Sequence, residues 1–152
     1  MSSSNNFSIK LSRAKAAAAL LCLAALAGFA DCAYLLMQEF SGKGYRCDVR
    51  GFDCGFVLQS RFSTFLGIPW TVWGLTYYAA LFVVVIALLA SGKRILMRLL
   101  GLFVAAGVAV SLSLLYVQGG ILHAWCLYCV ASEIAVGILL AGYILLRNEK
   151  SV

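Results

Sequence analysis

Charge and proline are what this sequence has least of. Only 12% of its 152 residues are Asp, Glu, Lys or Arg, and Pro69 is its one proline. That charged share is about half the usual one for soluble domains. In its place, 63% of the chain is hydrophobic and the mean hydropathy is +0.96. A soluble globular domain is thereby excluded. The length suits one domain, and its core must form by helices packing in lipid. Acidic residues are scarcer than basic ones, six against twelve, for a net charge of +6. The basic residues flank apolar runs and do not build a polar face. The charge therefore reads as membrane topology, and nucleic acid is not expected as a partner.

Four runs reach the roughly 20 apolar residues that a bilayer core demands. They cover about residues 16–37, 68–90, 99–118 and 125–146, the first holding Asp31 and the last Glu133. Glycines within them, Gly101, Gly107, Gly137 and Gly142, are expected to mark close helix packing. The expected organisation is a polar cytoplasmic tail over 1–15, with its first eight residues disordered, a four-helix membrane domain over 16–146, and a cytoplasmic tail over 147–152.

The basic residues orient the spans. Lys10, Arg13, Lys15, Lys93, Arg94, Arg98, Arg147 and Lys150 share one side of a four-span chain, which is expected to be cytoplasmic. Lys43, Arg46, Arg50 and Arg61 lie in the first loop, on the opposite side, beside Glu39, Asp48 and Asp53. The N-terminal run followed by Ala25-Leu26-Ala27 also has the form of a secretory signal. Because the apolar run continues to Met37, the first segment is expected to stay as an uncleaved span.

Two cysteine pairs stand out against this background. Cys126-Leu127-Tyr128-Cys129 opens the fourth span, with its thiols one helical turn apart and Cys129 about 4.5 Å deeper. A Cys-x-x-Cys at a helix start is a common reactive dithiol, because the helix N-terminus favours thiolate. Cys47 and Cys54 lie in the polar loop 38–67, and their spacing is enough to close a disulfide loop around a turn at Arg50-Gly51-Phe52-Asp53. With both termini inside, both pairs meet the same extracytoplasmic face, the compartment where disulfide chemistry belongs. Two dithiols in one small membrane protein suggest that electrons pass from one to the other. After Cys54, apolar residues from Phe56 to Leu66 interleave with polar ones, and a short amphipathic helix is expected there, lying over Cys126.

Cys47-Asp48-Val49, Cys54, Ser60, Gly67-Ile68-Pro69 with Gly74 and Tyr78, and the Cys126–Cys129 motif together resemble the vitamin K epoxide reductase family. More narrowly, the chain resembles its stand-alone bacterial members, which have no fused thioredoxin-like domain. The resemblance implies an all-α membrane protein, a four-transmembrane-helix bundle around a quinone, capped by an amphipathic half-helix in the first extracytoplasmic loop. It also implies a quinone-linked thiol oxidoreductase in the bacterial inner membrane that supports disulfide bond formation. A reduced thioredoxin-like periplasmic or extracytoplasmic partner would attack the Cys47–Cys54 disulfide at Cys47. Cys54 would then attack Cys126, and Cys129 would deliver electrons to a ubiquinone, menaquinone or vitamin K type acceptor.

The same resemblance places Ser60, Leu58, Trp70 and Glu133 at the quinone. Trp70 stands where animal members have an asparagine, which favours plain quinone reduction over epoxide chemistry. Glu133 stands where they have a tyrosine, one turn below Cys129 on the same face. A carboxyl inside a span is costly and is by default a functional candidate, as a proton relay or an interhelical partner. Ser60 also reads as a helix cap or loop serine. Asp31 is expected either to snorkel or to line the site. Cys22 and Cys32 read as small buried apolar groups, His123 as an interfacial surface residue, and Tyr116, Trp125, Trp70 and Trp73 as an aromatic belt. The second function class is a membrane carrier for soft metal ions, which paired thiolates also bind. No resident metal is expected. The placement of both pairs on one side favours the oxidoreductase.

Overall fold

The computed structural model describes residues 2–42, 45, 47 and 49–150, with side chains from residue 12 to 148 in the helices at the two termini. The expectations for Lys43, Arg46 and Asp48, and for the side chains of Lys10 and Lys150, fall outside the described residues. Four long helices dominate: α1 (Ser2–Ser41), α3 (Trp70–Ser91), α4 (Arg94–Tyr116) and α5 (Leu127–Lys150). Each holds a segment long and apolar enough to cross a membrane: Ser12–Ser41, Trp70–Ser91, Arg94–Leu122 (which continues past α4) and Leu127–Asn148. The first helix corrects one expectation, since residues 2–8 are helical and not disordered. Extending an existing helix by a residue costs far less than nucleating one, so the span propagates into its polar tail.

The helices pack in a ring, α1 against α3 and α5, and α4 against the same two. Their shared core holds Leu21, Leu81, Val85, Leu100, Val104 and Leu139. Small residues allow the close approaches. A Cβ on Gly107 would meet Tyr77, on Gly101 Tyr143 and on Gly142 Leu21, whereas Gly137 has open space beside it. Gly92 ends α3 in the left-handed conformation (φ 61°), and its N–H donates to Leu88 O at 2.8 Å.

The loop between α1 and α3 departs from the expected helix over 56–66. Only α2 (Cys54–Leu58) is helical, started by Asp53, whose Oδ1 accepts the Phe56 N–H at 2.9 Å. Ser60 then turns back on the helix, and β1 (Thr64–Phe65) pairs antiparallel with β2 (Ile68–Pro69). Leu66 and Gly67 both take positive φ, 54° and 77°, as a two-residue hairpin turn of this hand requires. Interleaved polarity marked an element half in contact with protein here, but its backbone closes as a turn and hairpin.

Beyond α4 the chain does not stop but widens into a π-helical segment, Val117–Leu122. His123 closes it in the left-handed conformation (φ 50°).

Candidate functional site

The two cysteine pairs come together at the loop end of the bundle. Cys47 and Cys54 form a disulfide with Cα atoms 5.6 Å apart, while Cys126 and Cys129 are free thiols. Cys54 and Cys126, 1% and 0% exposed, are buried in one cluster with Val57, and Cys47, Leu58 and Cys129 pack on it. A backbone hydrogen bond, Asp53 N–H to Trp125 O at 2.9 Å, joins the residues that precede Cys54 and Cys126. The turn at 49–52, with Phe52 N–H on Val49 O and Gly51 at φ 91°, delivers Asp53 to that bond.

Cys126 lies just outside α5, at its N-cap. Its carbonyl accepts the Val130 N–H at 3.0 Å, and its Sγ accepts the Cys129 N–H at 3.3 Å. A sulfur thus occupies the place that a serine or aspartate oxygen takes at other helix starts, where unpaired N–H groups favour negative charge.

Below the cysteines the four helices enclose an apolar cavity of about 370 Å³. Cys129, Glu133, Leu58 and Trp70 line it, together with Asp31, Trp73, Tyr77 and Tyr78. A smaller cavity of about 70 Å³ adjoins it under the loop and shares Leu58, Trp70, Thr71, Leu114 and Cys129. Ser60 lines only this smaller one, and its hydroxyl donates to Val57 O at 2.8 Å, the bond of a loop serine closing a helix. Asp31 Oδ2 and Glu133 Oε2 are buried without a hydrogen-bond partner. Asp31 therefore lines the cavity and does not snorkel.

Trp73, expected only in an aromatic belt, belongs to this cavity, as does Trp70, which the resemblance also placed at the quinone. Trp70 stacks on Phe65 with ring centroids 5.3 Å apart, and its Nε1–H donates to Phe62 O at 3.1 Å. Trp73 Nε1–H donates to Phe65 O at 3.3 Å. The hairpin is thereby fastened over the cavity. Tyr78 hydroxyl bonds Ser132 on α5, and Tyr77 hydroxyl donates to Phe103 O on α4. Trp125, Tyr116 and His123 stay exposed. Cys32 is buried against Gly74, and Cys22 is half-buried.

Gln118 is the residue that the sequence reading passed over. It is 2% exposed; its Oε1 accepts the Cys126 N–H at 2.9 Å and its Nε2 donates to Glu133 Oε1 at 3.0 Å. Its own carbonyl accepts the N–H groups of His123 and Ala124. A polar residue at the end of an apolar run looked like a boundary. The sign that it was more is the Gly119-Gly120 pair beside it, which permits the wide turn.

The sequence model described as the vitamin K epoxide reductase family matches residues 19–144. The chain belongs to the vitamin K epoxide reductase family. No curated protein matches it in a sequence comparison. Membership makes this integral membrane protein an oxidoreductase of the quinone-linked thiol class. Vitamin K epoxide reductase family members use quinone-type acceptors, and the matched residues take in both cysteine pairs, the cavity and Gln118.

Proposed function

We propose that this protein carries electrons from a reduced thioredoxin-like partner through Cys47 and Cys54, then Cys126 and Cys129, to a membrane quinone, and so supports disulfide bond formation. The observation that carries the reading is the burial of Cys54 and Cys126 in one cluster, with Cys129 opening onto the apolar cavity. The orientation proposed is the one the basic residues favour, with both termini cytoplasmic and the cysteines facing the oxidising side of a bacterial inner membrane.

Exposure sets the order of attack. Cys47 is half-buried and Cys54 buried, so an incoming thiolate reaches the Cys47 sulfur first. The mixed disulfide forms at Cys47 and Cys54 leaves as thiolate. The partner's second thiol then displaces Cys47 and departs as a disulfide. When Cys126 and Cys129 are themselves oxidised, Cys54 attacks Cys126 and Cys129 leaves. Cys47 then attacks Cys54, which restores the outer disulfide and leaves Cys126 and Cys129 as thiols, the pattern present here.

The cavity fits a quinone ring. Its volume falls within the range of small-molecule sites, its walls are apolar, and two buried carboxyl oxygens on it lack partners. Leu58, Trp70 and Glu133 would hold the ring, with Cys129 beside it. A bound quinone supplies a two-electron oxidant there. Ser60 would act one step back, by holding the end of α2.

Purified protein in detergent with a quinone is expected to oxidise a reduced thioredoxin-like protein while the quinone absorbance bleaches. Cys129→Ala should abolish quinone reduction, and Cys54→Ala should block the relay from the partner. Full turnover by both variants would overturn the relay. Tight soft-metal binding without turnover would favour the carrier.

A further inference from the structure

We propose that Gln118 is the positioning residue of the acceptor site, holding the Glu133 carboxyl with Oε2 turned into the cavity as a proton donor. The inference rests on the quinone-linked reading above and adds a residue and a proton route to it.

The hydrogen bonds leave the Gln118 amide one orientation. The backbone N–H of Cys126 can only donate, so the amide oxygen must face it, at 2.9 Å. The amide NH₂ is then the group that faces Glu133, and it donates to Oε1 at 3.0 Å. Oε1 is satisfied, and Oε2 is the oxygen left buried and unpartnered. Glu133 lines the large cavity, where among the described residues no Lys, Arg or His lies on the wall. A carboxylate there would be an unpaired charge in apolar surroundings, so the carboxyl is neutral and its proton sits on Oε2, the oxygen without a donor. The wide turn at 117–122 and its bonds from His123 and Ala124 fix the Gln118 backbone, which makes the amide a rigid strut.

The chemistry balances. Oxidation of Cys126 and Cys129 to a disulfide forms one S–S bond and gives up two electrons and two protons. The electrons go to the quinone-class acceptor. Glu133 Oε2 donates one proton to an acceptor oxygen and is reprotonated by one released from the thiols. The other thiol proton completes the reduction, and Glu133 ends as it began. Glu133 touches the acceptor and Gln118 acts through it.

The test uses full-length protein and two readouts. In quinone-free protein, infrared spectroscopy assigns the Glu133 carboxyl band by its loss in Glu133→Gln. Gln118→Met, which keeps side-chain volume and removes both bonds, should move that band to higher frequency. With quinone, Gln118→Met should lower kcat about tenfold or more, and should leave the separately measured exchange between partner and Cys47–Cys54 at the wild-type rate. In a Glu133→Gln background Gln118→Met should lower kcat much less than it does in the wild type, since only its bond to the Cys126 N–H is left to lose. Should Gln118→Met fail to fold, Gln118→Glu replaces it. The introduced carboxyl donates to Glu133 only while protonated, so kcat should begin to fall at a lower pH than in the wild type. An unmoved carboxyl band, additive losses in the double variant, or an unchanged pH profile would overturn the proposal. Wild-type protein that reduces no quinone would instead overturn the functional reading, and the infrared arm would still decide the role of Gln118.

Discussion

The Asp53 N–H donates to the Trp125 carbonyl at 2.9 Å, and each of these residues is the immediate neighbour of a cysteine, Cys54 in the loop pair and Cys126 at the helix start. One backbone bond therefore sets the approach of the loop disulfide to the helix-start thiol. Asp53 also caps α2 with its side chain, so its two roles are separable. Asp53→Ala removes only the cap and should cost about 1 kcal/mol of local stability. Asp53→Pro removes the N–H as well and strains a residue at φ −128°. Transfer from Cys54 to Cys126, followed by quenched-flow alkylation, is expected to slow much more in Asp53→Pro than in Asp53→Ala.

Burial orders the reactivity of the outer pair. After mild reduction, a bulky maleimide should label Cys47 well before Cys54, as read by peptide mass spectrometry. Equal labelling would mean that the partner has no preferred point of attack.

Close packing between α1 and α3 depends on a sulfur meeting a glycine. A Cβ on Gly74 would sit 2.6 Å from Cys32 Sγ. Gly74→Ala should therefore lower stability by about 1–3 kcal/mol. Adding Cys32→Ala removes the opposing sulfur, and the double variant should recover most of the loss. Thermal unfolding in detergent measures the coupling.

Tyr45 packs on the cysteine cluster from the loop. Burial, and then the Glu39 charge, push its phenol up from its ordinary 10 to about 12. A folded-state value above the unfolded one means stability present below about pH 10 and lost as pH rises toward 12. Tyrosinate absorbance should show one late-titrating phenol fewer in Tyr45→Phe than in the wild type, and the alkaline loss of loop stability should shrink with it.

Much of this was legible in the sequence because lipid imposes simple rules. Apolar runs of spanning length could only become helices, and the order of the cysteines brought both pairs to one end of the bundle. Asp31 and Glu133 stood out as carboxyls inside spans, and both line the cavity. What escaped depended on backbone detail. The stretch from Phe56 to Leu66 has the composition of an amphipathic helix, yet positive φ at Leu66 and Gly67 turns its second half into a hairpin. Trp70 and Trp73 have the composition of an interface belt, but their indole N–H groups pin that hairpin over the cavity. Gln118 was hidden because a helix period of 3.6 residues does not aim it at Cys126; only the wider turn does.

That wider turn makes chain length itself a functional quantity. Deleting one residue at Gly119 or Gly120 would return the segment to the ordinary helical phase and swing the following chain through about 100°. The peptide that arrives from Cys126 would then meet a different side chain, although every residue of the relay would still be present. Counting residues between Gln118 and Cys126 is thus as informative as identifying them: the interval works as a measured spacer, and an insertion or deletion there would part Gln118 from the Cys126 peptide with every thiol still in place.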